Sequence, residues 1–393
     1  MLFLYNKNNL FSTIKSVSTR FLQSSVYASD KSVKNIGSSA YESAILKFND
    51  KLQILEEKLE TADKIRKNVH ETIVKKSAQK VNLLEKCICS KKSSLLTAGS
   101  VATGLTISDN SDVDVVFVVL DDELNNFSRD FKNNVGFRDK FMKLVGQIIR
   151  ADERIWNNKK NRMSTLYDAK VPIIKLYFGD GTKIDIQFCN HHTLKNTNLL
   201  RYYAASDPRY RKVYIYVKNL LSCLDLLDGE KGLLTSYQIS VLVAHFLQKP
   251  FKNQKPILPI IPQVCSSFVS PNLSIEKVIE NLNKPVDTSG IQSLINPKPL
   301  ASHLAMQFID YFAEFDFLSY AILMNKADPV EIFPVDLSPK LQLFDLYSNK
   351  SVSNGDRALK ALSMNLKYVR NSIKKGFFID SFPDFAEEKF LKE

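Results

Sequence analysis

Between residues 41 and 89 the chain has no glycine or proline and is dense in glutamate and lysine. Its apolar positions Ile45, Phe48, Leu52, Leu55, Leu59 and Ala62 recur at alternating spacings of three and four, which line one face of a helix. Beyond Ala62 the stripe drifts, which predicts helices packed on the body of the protein rather than a long coiled coil. The texture then changes. SLLTAGSVATGLTISDNSDVDVVFVVL predicts a β-rich stretch, a polar turn region and a strand over 113–120. A helix is expected near 137–152, with Phe141, Leu144, Val145, Ile148 and Ile149 on one side. DAKVPIIKLYF and TKIDIQF follow, separated by Gly-Asp-Gly-Thr, a hairpin signal. Residues 92–188 thus read as a small mixed sheet with a helix against it.

After Asn190 strand signals fade. Val213, Val217, Leu220, Leu221 and Leu224 keep helical spacing, and SYQISVLVAHFLQ predicts a second, buried helix. A proline-rich connection spans 249–262, and helices are expected over 301–325 and 355–373. The fold class is α+β, divided into a tail (1–40), a mixed domain with its N-terminal helices (41–190) and a mostly helical domain (191–393).

Lysine and arginine outnumber the acids 54 to 42, a net charge of +12, which favours a polyanionic partner such as nucleic acid or an anionic membrane. No apolar run approaches the roughly 18 residues of a membrane span. Cys87, Cys89, Cys189, Cys223 and Cys265 are scattered and odd in number, which argues against a disulfide framework. The neighbours His191 and His192 show no metal-ligand spacing. The first 29 residues hold Lys7, Lys15 and Arg20, several Ser and Thr, and no acid before Asp30. That composition predicts a mitochondrial transit peptide, the alternative being a basic tail on a cytoplasmic or nuclear protein.

Candidate chemistry concentrates at the mouth of the 113–120 strand. Residues two apart on a strand share a face, so Asp112 and Asp114 present their carboxylates side by side, where like charges repel. A hard cation, Mg²⁺ or Mn²⁺, answers that charge, since the donors are oxygen alone. Asp185, between Ile184 and Ile186, faces away from both and supplies a third carboxylate. Two ions about 3.5–4 Å apart would clamp an in-line phosphoryl displacement. Gly99 and Ser100, on a turn upstream, would let backbone amides and a hydroxyl approach phosphate oxygens. Asp109, Asp121 and Asp122 read as solvated turn and loop residues.

Gly-Ser-x-x-x-Gly-Leu, then Ser-Asp-x-Asp on a strand and a later Asp on a hairpin, resembles the DNA polymerase β-like nucleotidyltransferases, and within them the poly(A) polymerase and terminal uridylyltransferase group. AKVPIIKL, LKNTNLLRYYAASDPRYRKVYIYVK, GLLTSYQISVLVAHFLQ and PILPII carry the resemblance onward, so that it covers roughly residues 45–380. It implies a polymerase β-like catalytic domain, a helical poly(A)-polymerase-associated central domain and an active-site cleft between them. It implies template-independent addition of nucleotides to RNA 3′ ends, with the metals held by Asp112, Asp114 and Asp185, and with Asp185 helping to activate the RNA 3′-hydroxyl. Gly99 and Ser100 would bind the triphosphate of ATP or UTP, Asn196 and Thr197 the sugar, and Lys218 the phosphates. Ser236 and Tyr237 would touch phosphate and stack on the base.

The family's second lysine is here Ser222, so Lys212 or Lys231 is a candidate replacement. The base-recognition motif survives as FDLYSNKSVSNGDR, which places Asp345, Tyr347, Asn354 and Arg357 at its positions; Ser353 stands where some uridylyltransferases have a histidine, which favours ATP. RNA contact would come from basic surface, with Lys91, Lys92, Arg209, Arg211 and Lys212 as candidates, or from a partner protein. The competing readings are a non-catalytic RNA-binding scaffold of the same fold and a nucleotidyltransferase with another acceptor.

Overall fold

The computed structural model describes residues 39–120, 123–250, 255–332, 341–348, 350–353 and 357–376. The import reading of the N-terminal tail, Asp121, Asp122 and Asn354 lie outside the described residues.

The apolar stripe forms α1 (Ser39–Leu46) and α2 (Asn49–Ile88), a 40-residue helix. The break between them falls at Phe48, the N-cap of α2, which no side chain caps. Leu52, Leu55, Leu59 and Ala62 of α2 enter one core with the helices of the C-terminal half, whereas Ile73 and Leu84 enter the core under the sheet. Thus α2 serves both cores.

The mixed sheet has five strands: β1 (Ser93–Thr97), β2 (Val113–Val119), β3 (Arg162–Leu166), β4 (Ile173–Tyr177) and β5 (Lys183–Phe188). Their order is β1-β2-β5-β4-β3, with β2 and β5 parallel and the other pairs antiparallel. Both faces are covered. Val113, Val115 and Phe117 pack with Ile184, Ile186 and Phe188 against α2 and against Met142, Val145 and Ile149 of α5 (Val135–Ala151), which follows α4 (Glu123–Asn133). Val116 and Val118 face the other way, onto Leu194, Ile275 and Val278. By the strand's two-residue period Asp114 belongs to that second face.

The short helix α3 (Gly99–Thr103) bridges β1 and β2. The C-terminal half contains α6 (His191–Ser206), α7 (Pro208–Cys223), α8 (Ser236–Gln248), α9 (Ile275–Leu282), α10 (Ala301–Glu314) and α11 (Arg357–Lys374). The expected helix over 301–325 stops at Glu314. Residues 320–323 instead form β6, which pairs with β7 (Val330–Glu331) and β8 (Leu343–Phe344). Apolar runs this short carry no decisive period, and Phe315, in extended backbone, ends the helix. Among the described residues no helix is long and apolar enough to cross a membrane.

Candidate active site

Parallel pairing of β2 with β5 sets Asp114 directly beside Asp185, and antiparallel pairing of β4 with β5 sets Lys175 beside Asp185 on its other flank. The carboxylates stand on the face opposite the apolar core, because Ile184 and Ile186 take the core side. Lys175 Nζ lies 2.8 Å from Asp185 Oδ2 and 3.9 Å from Asp112 Oδ2, while Lys183 Nζ lies 3.6 Å from Asp112 Oδ1. Among the described residues no lysine forms an ion pair with Asp114. It accepts a 3.3 Å hydrogen bond from Gln187 Nε2, and burial, then the charges of Asp185 and Asp112, push its carboxyl up to about 6. Burial also raises Asp185, with Lys175 opposing.

Gly99 sits against this group with φ +64°, and a Cβ there would fall 2.3 Å from Asp114 Oδ2. Only glycine fits, both for the left-handed backbone and for the approach. Its N–H donates to Thr197 Oγ1 at 3.1 Å, which ties α3 to α6. Thr197 is therefore a strut between the two halves of the site, while Ser100 stays half-exposed beside it.

The residues expected around the nucleotide gather from three parts of the chain. Asp345 follows β8, and its fully enclosed carboxylate accepts from Asn196 Nδ2 (3.2 Å), Tyr237 Oη (3.4 Å) and His192 (2.7 Å). It also accepts from the amides of Tyr347 and Ser348. Burial raises Asp345 and these hydrogen bonds outweigh it, so the acid is held below its ordinary value. Asp345 thus ties Asn196, Tyr237 and His192 together. Tyr347 is half-buried, with its hydroxyl on the Val269 carbonyl. Ser236 is exposed at the first turn of α8, behind the Thr235–Gln238 capping box, and Tyr237 packs one side on the core. Arg357 is exposed at the start of α11.

Lys218 on α7 lies over the Tyr214 ring and has no carboxylate partner among the described residues. Burial, then the charge of Arg66, push its ammonium down to about 8. Lys212 and Lys231 do not replace the missing second lysine. Lys212 is buried on Glu56 and Glu60 of α2, and Lys231 pairs with Asp228 in an exposed turn. Arg209 and Arg211 likewise leave the list of RNA contacts. Arg209 is committed to Asp207 and to the carbonyls of Asn296 and Pro299, and Arg211 to Asp63. Lys91 and Lys92 remain exposed.

Sequence reasoning passed over three residues. Arg66 continues the α2 stripe one turn past Ala62 and is buried next to Lys218, so the drift of the stripe was itself the signal. His192 was set aside for lacking metal-ligand spacing, although it stands one helical turn before Asn196. Lys175 was the cation facing Asp185 across the hairpin.

The sequence comparisons agree with this geometry. Residues 42–205 match the family model described as the central palm domain of mitochondrial-like poly(A) RNA polymerase. Over these residues the chain is similar to the poly(A) polymerase and terminal uridylyltransferase group. It is 27% identical over 255 residues to poly(A) RNA polymerase gld-2 of Caenorhabditis elegans, covering 63% of this chain and 21% of that protein. It is 31% identical over 109 residues to human terminal uridylyltransferase 7, covering 28% of this chain and 7% of that one. The chain thus spans about a fifth of the first relative's length and 7% of the second's. A solved GLD-2/RNP-8 complex shares the fold, with TM-score 0.65 and 21% identity over 84% of this chain and 97% of that one.

The donor set fits a hard divalent cation. It is all oxygen, and Asp114 is short of positive charge. As they stand, no three His, Cys, Asp or Glu side chains among the described residues converge to hold an ion, and the Lys175 ammonium lies between Asp185 and Asp112. An ion held by all three carboxylates would require Lys175 to release Asp185.

Proposed function

We propose that this chain adds nucleotides, AMP in preference to UMP, to RNA 3′ ends without a template. The observation that carries the reading is the placement of Asp114 beside Asp185 on parallel strands, with Gly99 pressed against Asp114. Asp112, Asp114 and Asp185 would hold Mg²⁺ or Mn²⁺, which when bound supplies Lewis-acid activation of the attacking hydroxyl and charge for the leaving pyrophosphate. Asp185 would orient the 3′-hydroxyl and accept its proton. Lys218 and Arg66 offer positive charge to the triphosphate, and the exposed Ser236 offers a hydroxyl at a helix start. Tyr237, fixed by Asp345, offers a face for the base.

The absence of acids before Asp30, with the mitochondrial-like family match, supports action in mitochondria. A reporter fused to residues 1–40 that stays diffuse in the cytosol would remove that part. A partner protein that recruits RNA fits the small exposed basic surface left once Arg209, Arg211 and Lys212 are committed internally.

The test uses purified protein, a labelled RNA primer, Mg²⁺ and each NTP singly. Extension with ATP that disappears in Asp112→Ala and Asp185→Ala is the expected result. Extension that survives both substitutions would overturn the assignment of the carboxylates.

A further inference from the structure

Three side chains meet on Asp345, and the chemistry of that carboxylate fixes how each presents itself to the cleft. A carboxylate only accepts, so Asn196 must turn Nδ2 towards it, which leaves Oδ1 aimed elsewhere. That Oδ1 is buried and has no hydrogen-bond partner. By the same logic the proton between His192 Nε2 and Asp345 Oδ2, 2.7 Å apart, belongs to Nε2, and in the uncharged tautomer of the ring Nδ1 carries a lone pair. Nδ1 has no protein partner among the described residues and is not enclosed, on a side chain that is 42% exposed. Tyr237 gives its hydroxyl proton to Asp345 as well. Asp345 itself has five donors on it and no room for another. With the ring in that tautomer, the free polar edges of this group, Asn196 Oδ1 and His192 Nδ1, are both acceptors.

We infer that His192 determines base choice: its Nδ1 accepts from the exocyclic amino group of the incoming nucleobase and so selects adenine over uracil. His192 and Asn196 are one turn apart on the same face of α6, and the helix begins six residues after Asp185. In this arrangement Asn196 Oδ1 takes a sugar hydroxyl while His192 meets the base that rests on Tyr237. Adenine supplies an N–H donor at that edge. Uracil presents a carbonyl oxygen there, and two acceptors would face each other with no proton between them. Asp345 makes the discrimination rigid, since the ring cannot flip without breaking the bond that fixes its tautomer. The inference rests on the nucleotidyl-transfer reading.

The test compares kcat/KM for ATP with that for purine riboside triphosphate, which lacks only the amino group, in RNA extension by the full chain. The wild type is expected to prefer ATP about tenfold, the worth of one hydrogen bond. In His192→Ala and His192→Phe the ratio should fall to about one, while both enzymes still extend RNA. The phenylalanine keeps a ring of similar size, which guards against loss of fold in the alanine variant. A tenfold ratio that persists in either variant would overturn the inference and leave the nucleotidyl-transfer reading standing. Equal use of the two triphosphates by the wild type, or a preference for UTP, would overturn it without any variant. If the wild type extends RNA with no nucleotide, the functional reading fails and this one with it.

Discussion

Gly99→Ala separates two costs that a glycine in an active site usually combines. The residue has φ +64°, and a left-handed alanine costs about 1–2 kcal/mol. The new Cβ would also lie 2.3 Å from Asp114 Oδ2, so the carboxylate must retreat by about 1 Å to reach ordinary contact. Gly104 is the internal control: its φ is +72°, and a Cβ there meets nothing within 4 Å. Both alanine variants should lose similar stability, seen as a fall of a few degrees in melting temperature by circular dichroism. Only Gly99→Ala should lose activity, by about 10²-fold, because a displacement near 1 Å at a reacting group has that effect. The assay is single-turnover extension of an RNA primer at saturating nucleotide and Mg²⁺. Comparable activity losses in the two variants, or a Gly99→Ala enzyme within about threefold of wild type, would refute the argument that glycine is there to let Asp114 approach.

Lys218 is pushed down to about 8, so in the free enzyme it loses charge as pH rises through that value. KM for the nucleotide should rise above pH 8, and in Lys218→Met that limb of the profile should vanish; an unchanged limb would show that another group grips the phosphates. Asp114→Asn should abolish extension yet melt higher than wild type in EDTA, since the amide relieves the repulsion from Asp112 and Asp185. A lower melting point would show that the carboxylate is not under strain. Asp63 is buried on Arg211, and Asp63→Ala should cost about 3–5 kcal/mol by urea denaturation, because the guanidinium is left without its partner. The Arg211 pair holds Asp63 below its ordinary value against burial, so its contribution is complete above pH about 4 and is lost as pH falls through the depressed value.

The palm was legible because its signals are local. Alternation along β2, the Gly-Asp-Gly turn and the apolar face of α5 each fix one element from a few adjacent residues. The Asp-x-Asp pair and the Asp between two isoleucines needed only the strand's two-residue period to be placed on the polar face. What escaped was the set of pairings across long sequence gaps. Nothing near Asp345 shows that its carboxylate is enclosed by donors from α6 and α8. Nor does anything near Lys212 or Arg211 show that α2 lies alongside with Glu56, Glu60 and Asp63 ready to neutralise them. Charged residues that looked like an RNA surface were internal for that reason. The misread β6 segment has the same origin, since it is a strand only because 343–344 and 330–331 lie on either side.

The double service of α2 has a mechanical consequence. A 40-residue helix is about 60 Å long and contains no loop at which to fold. The sheet core and the helical core are both mounted on this one rod, and they are joined again at Cys189, φ +50°, between β5 and α6, and by the Gly99–Thr197 bond. A proline in the middle of the rod should therefore unsettle both cores at once, as a single fall in melting temperature, without touching the carboxylates.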